Sequence, residues 1–113
     1  STVTSAGKMV VLVPTKLLEV GVERAIKRWA GKHKDDLMYW KFTVPGLRGV
    51  PDRIALFRGG RCVFFELKSK GKRPRKLQVW LHKKLRAFGF PCHVFDSADS
   101  AINCLEEYLN ERI

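Results

Sequence analysis

The sequence predicts an α/β (α+β) domain of the order α-β-β-β-α-β-α around a mixed central sheet. Three observations predict it. Apolar residues recur at helical spacing in three segments and in alternation or short runs in four others. Two of those runs flank Gly59-Gly60 and read as a hairpin, so they pair antiparallel. The last run arrives only after a helix, and a helical return makes the sheet mixed. A chain of 113 residues, 45% apolar, is long enough for one domain with one core.

The elements follow in order. "STVTSAGK" (1–8) reads as a flexible leader or a cloning scar and lacks the charged start and apolar core of a signal peptide. Residues 9–113 then form a single domain, with "MVVLV" (9–13) a strand or a packed arm. "PTKLLEVGVERAIKRWAGKHK" carries Leu18, Val22, Ala25, Ile26 and Trp29 at helical spacing, with Thr15 placed to cap it. "DLMYWKFTV" is a strand, "PGLRGVP" a loop, and "DRIALF" and "RCVFFELK" the hairpin. "SKGKRPRK" is a basic loop. "LQVWLHKKLRAF" puts Leu77, Leu81, Leu85 and Phe88 on one helical face, with Gly89 as its stop. "PCHVFD" is a short strand. Asp96 or Ser97 caps a last helix bearing Ile102, Leu105 and Leu109.

Charge narrows the partners. Lys and Arg number 22 against 11 Asp and Glu, a formal net charge of +11. Such an excess points to a polyanion, nucleic acid first and an acidic membrane surface second. No apolar run approaches the roughly 20 residues that a span needs. Cys62, Cys92 and Cys104 form no CxxC pair and read as buried thiols in a reducing compartment. His33, His82 and His93 show no ligand spacing and read as surface or structural histidines.

The hairpin holds an oddity: Asp52 opens one apolar strand, and Glu66 and Lys68 close the other. Glu66 and Lys68 are two apart and share a face. A two-residue Gly59-Gly60 turn would send Asp52 to the opposite face. A three-residue loop, Arg58-Gly59-Gly60, would set Asp52 opposite Glu66 with the carboxylates about 5 Å apart. Two acids so placed repel each other, and a hard divalent cation such as Mg²⁺ resolves the conflict with oxygen ligands. Lys68 can then orient a water and steady charge on a phosphate oxygen. The plainer alternative is a turn acid after Pro51 and a surface Glu66–Lys68 pair.

Pro51-Asp52 followed by Glu66-Leu67-Lys68 resembles the PD-(D/E)XK nuclease signature. More narrowly, "GVPDRIALFRGGRCVFFELKSKGKRPRKLQ" resembles the VRR-NUC family, which adds a Gly-x-Pro-Asp element and a Gln on the next helix, here Gln78. The likeness runs from about Glu19 to Asp96. It implies a restriction-endonuclease-like core and a VRR-NUC-like nuclease domain over 9–113. It implies Asp52, Glu66 and the Leu67 carbonyl as ligands for Mg²⁺, with Mn²⁺ as substitute. Lys68 would act on the nucleophilic water and Gln78 would buttress the site. A helix glutamate joins them, Glu23 on context with Glu19 as the alternative. Lys41 resembles a family lysine of uncertain role.

Arg48, Lys70, Lys72, Arg73, Arg75 and Lys76 would hold DNA phosphates. No recognition helix or zinc finger reads bases, so the expectation is structure-selective cutting of branched DNA, in the manner of a Holliday-junction resolvase. Paired cuts need two sites, most simply a C2 homodimer. Tyr39, Trp40 and Trp80 would serve that interface or else pack in the core. The alternatives are a nicking, flap or exonucleolytic repair nuclease of the same fold, and a non-catalytic basic DNA-binding module. The setting expected is the cytoplasm of a bacterial or phage-infected cell, near the nucleoid.

Overall fold

Helix α1 spans Thr15–Lys32. Ile26, Trp29 and Ala30 on it are buried, with Val22 packed beside them. The computed structural model describes the backbone of residues 2–5, 9–12, 15–69 and 71–111, and the side chains of 20–69 and 71–111. The side chains of Thr15, Leu18 and Glu19 lie outside the described residues. Ahead of α1, β1 (Thr2–Ser5) and β2 (Met9–Leu12) pair antiparallel as a separate two-stranded sheet. Strand β2 coincides with the expected "MVVLV" strand. Strand β1 falls where a leader was expected.

The central sheet has the order β3-β4-β5-β6: Leu37–Lys41, Arg53–Phe57, Arg61–Leu67 and Cys92–Phe95. The first two pairings are antiparallel and the last is parallel. The mixed sheet is the one that a hairpin plus a helical return requires. In the hairpin Arg53 lies opposite Phe65 and Phe57 opposite Arg61, so the loop is the three-residue Arg58-Gly59-Gly60. Gly59 (φ +88°) and Gly60 (φ +83°) both take the left-handed region, which costs glycine nothing. This register is the one that sets Asp52 toward Glu66.

Alternation gives the sheet two unlike faces. One carries Leu37, Ala55, Phe57, Val63, Phe65, Leu67 and Phe95 and packs against α1 and α3 (Ala98–Asn110). Ala101 and Leu105 of α3 are buried there, with Ile102 and Leu109 beside them. Ser97 is the cap of α3, its side chain accepting from the Ser100 N–H at 3.1 Å. Trp29 Nε1 donates to Glu106 Oε1 at 3.0 Å and ties α1 to α3.

The other face carries Phe64 and Glu66 and meets α2 (Lys76–Ala87). Here the apolar stripe expected on this helix needs correction. Gln78, Leu81, His82 and Leu85 turn inward, whereas Leu77 and Phe88 are exposed, Phe88 at 73%. The reason is polar: Gln78 is drawn in by a buried carboxylate, and an apolar count treats every leucine as inward-facing. Gly89 (φ +97°) follows Phe88 and ends the helix as expected.

Candidate active site

Pro51 is buried and leads into Asp52 at the mouth of β4. The main chain holds Asp52 firmly. Its carbonyl accepts from the Phe42 N–H at 2.9 Å and from Arg53 Nη1 at 2.8 Å. Its carboxylate Oδ1 accepts from the Leu67 N–H at 3.2 Å, which brings the Leu67 peptide against it. Glu66, one residue back, is only 5% exposed. Its Oε2 accepts from Gln78 Nε2 at 3.3 Å and lies 3.7 Å from Lys68 Nζ. Gln78 Oε1 in turn accepts from the Arg75 N–H at 2.8 Å, so the first turn of α2 locks the amide in place. The four residues converge on one end of the sheet, on the α2 side.

Gly49 explains how the loop and helix meet. Its φ is +89°, and a Cβ there would lie 3.0–3.2 Å from the Leu77 side chain and carbonyl. Both conformation and contact demand glycine. Gly49→Ala should therefore destabilise the fold by about 2 kcal/mol, lowering the melting temperature by roughly 10 °C. A melt within about 2 °C of the parent would show that the loop does not need this approach.

Basic residues surround the acids. Arg48, Lys68 and Arg75 line a cavity of about 560 Å³ with Gly49, Leu77 and Gln78. Lys72, Arg73 and Lys76 are exposed nearby in sequence, and Lys70 lies outside the described residues. Lys41 is exposed opposite Arg53 in the β3–β4 pairing.

No family model matches the chain. Over 60 residues it is 42% identical to "Putative nuclease p44" of Acyrthosiphon pisum secondary endosymbiont phage 1, a stretch covering 53% of this chain and 64% of that protein. The chain thus spans about two-thirds or less of that relative's length. A solved VRR_NUC domain superposes with a TM-score of 0.69 at 23% identity, covering 80% of this chain and 95% of the other. A second, a VRR_NUC domain protein, gives 0.65 at 19% identity over 80% and 87%. The fold is that of a VRR-NUC domain.

Within this VRR-NUC fold the electrostatics of the acids are unusual. Burial first, and the neighbouring Asp52 second, push the Glu66 carboxyl up to about 7, and the nearby Lys68 offsets only part of this. Burial also raises Asp52, against the pull of Arg53. Glu66 Oε1 is buried without a hydrogen-bond partner. A cation fits this deficit, because it supplies charge and a partner to an oxygen that has neither. Among the described residues no group of three or more His, Cys, Asp or Glu side chains gathers around one point. The acids at this end of the sheet are the carboxylates of Asp52 and Glu66, and so small a donor set suits an ion that keeps several waters, as Mg²⁺ does.

Glu23 stands apart from this set. Its Oε2 pairs with Arg53 Nη2 at 2.8 Å, and Arg53 Nη1 lies 3.9 Å from Asp52 Oδ2. Arg53 thus bridges Glu23 and Asp52, and its Nε donates to the Tyr39 hydroxyl at 3.1 Å. Sequence reasoning missed this buried arginine. The signal was present, since Arg53 alternates with the inward-facing Ala55 and Phe57. Tyr39 is consequently packed against the core, its ring tilted at 37° to that of Phe65, while Trp40 and Trp80 are exposed at 53% and 55%. His82 is buried on α2, and burial with Arg86 and Lys68 nearby holds its pKa down.

Proposed function

We propose that this chain is a divalent-metal-dependent endonuclease that hydrolyses DNA phosphodiester bonds and prefers branched DNA. The carrying observation is one buried carboxylate, Glu66, with an unpartnered oxygen, set beside Asp52, Lys68 and Gln78. The phage relative's name, a nuclease, supports the same reading. A metal ion held by Asp52, Glu66 and the Leu67 carbonyl would neutralise phosphate charge and acidify a bound water.

The chain's own residues do the rest. Gln78 holds Glu66 in one rotamer. Lys68 sits where its ammonium can orient the attacking water and stabilise the growing negative charge on the phosphate. Arg48 and Arg75, lining the adjoining cavity, grip the backbone on either side of the scissile phosphate. Arg53 keeps the acid cluster from repelling itself by pairing Glu23.

Branched-DNA preference comes from assembly. Met38 and Trp40 on β3 and Trp80 and Phe88 at α2 are exposed large apolar side chains. A C2 homodimer covering such surface would hold two sites at a fixed spacing. The test is a cleavage assay with Mg²⁺ on duplex, flap and four-way-junction DNA, paired with sedimentation. A dimer that makes paired cuts in the junction is expected. Flap trimming or single nicks by a monomer would favour a repair nuclease of the same fold. DNA binding with no metal-dependent cutting would leave a basic binding module.

A further inference from the structure

Helix α1 carries a charge pattern that neither the fold nor the candidate site uses. Arg24, Lys27, Arg28 and Lys32 are all exposed. At spacings of three and four they share the side of the helix opposite Ile26, Trp29 and Ala30. None of the four has an ion-pair or hydrogen-bond partner among the described residues. An ordinary solvated helix face mixes both signs. The described acid nearest in sequence to Arg24 is Glu23, and it is already bound to Arg53. Like charges one turn apart destabilise a helix.

Two glycines make the pattern more specific. Gly21 and Gly31 lie on the same exposed side, and a Cβ at either would meet nothing within 4 Å. Packing against the described residues does not require them, yet each weakens the helix relative to alanine. Their missing side chains leave the backbone open to close approach. A shallow depression of about 480 Å³ is lined, among the described residues, by Gly21, Arg24, Lys27 and Arg28.

The position of the stripe gives it a purpose. At its start, Glu23 reaches Arg53 beside Asp52. Beyond its end, Leu37 pairs with Phe57 at the far end of β4. The stripe therefore leads away from the candidate site for about 12 Å, or three to four base steps. It does so on the face of the sheet opposite α2, where Arg48 and Arg75 lie. One rigid duplex cannot follow both faces.

We propose that Arg24, Lys27, Arg28 and Lys32 form a second nucleic-acid surface, which receives the phosphate backbone of a second arm of branched DNA. This rests on the nuclease reading above and adds where the second arm goes. The test uses the full chain in Ca²⁺ or EDTA, so that binding is read without cleavage. Affinity for a four-way junction and for a short blunt duplex is measured across a salt series. The triple variant Arg24→Gln/Lys27→Gln/Arg28→Gln should bind the junction about 10–100-fold more weakly, with its log–log salt slope reduced by about 2–3. Its affinity for the short duplex should fall by less than about 3-fold. A control, Arg58→Gln/Lys83→Gln/Lys84→Gln, removes the same charge elsewhere and should show no such selective loss. The proposal is overturned if the triple variant loses no more junction affinity than the control, or loses duplex and junction affinity equally. Should the parent bind junctions but never cut them, the nuclease reading fails while the selective loss still supports the second surface.

Discussion

Lys68→Ala should lower the rate of metal-dependent cleavage by at least about 10³-fold while DNA affinity changes by no more than about 3-fold. The split follows from what the lysine touches and what it does not. Its ammonium lies 3.7 Å from Glu66 Oε2, at the acid cluster, on the edge of the cavity it shares with Arg48 and Arg75. Binding is the sum of many phosphate contacts, and Lys68 is one of 22 basic residues. Transition-state charge is local, so a single well-placed cation carries a large share of the rate. The salt slope of binding should shift by about 1 or less. A variant whose affinity collapses in step with its rate would make Lys68 a docking residue.

Glu66→Gln should remove most of the metal-free protein's loss of stability as pH rises. In the folded chain the Glu66 carboxyl is pushed from the usual 4.5 up to about 7. Between those values the folded state holds a proton that the unfolded state has lost, so stability falls as pH rises through this window. At pH 8 the buried carboxylate destabilises the fold by an amount on the order of 3 kcal/mol. An amide at this position carries no charge to bury and can still bond Gln78. The variant should thus match the parent near pH 4 and exceed it by roughly 3 kcal/mol at pH 8 in EDTA. Mg²⁺ should then stabilise the parent and not the variant. Denaturant melts from pH 4 to 8, with and without Mg²⁺, measure both. Parallel pH curves for the two proteins would mean that Glu66 is not the strained group. The raised Asp52 acts in the same direction and should leave a smaller residual slope in the variant.

Much of the fold was legible because its signals are local. The hairpin follows from two apolar runs around Gly59-Gly60, and the mixed sheet from a strand that returns through a helix. For Asp52 to face Glu66, parity required a three-residue turn or a bulge, and the three-residue loop is the one observed. Periodicity misplaced the inner face of α2 because that face is partly polar: Gln78 and His82 are inside and Leu77 and Phe88 outside. Strand β1, Thr-Val-Thr-Ser, carried a single apolar residue to mark it, whereas its neighbour β2, Met-Val-Val-Leu, is a continuous apolar run.

The sequence by itself determined the order of the elements of the central domain, the mixed sheet and the face shared by Glu66 and Lys68. Those depend on spacing along the chain, which is the same in any conformation. Only the tertiary structure decided that Glu23 answers to Arg53, that Gly49 is where a loop meets α2, and that Glu66 Oε1 is left without a partner. Each of these depends on which side chains from distant elements share a volume and on how much water remains there. Desolvation sets the charge of Glu66, and desolvation is a property of the packed molecule, with no counterpart in the order of its residues.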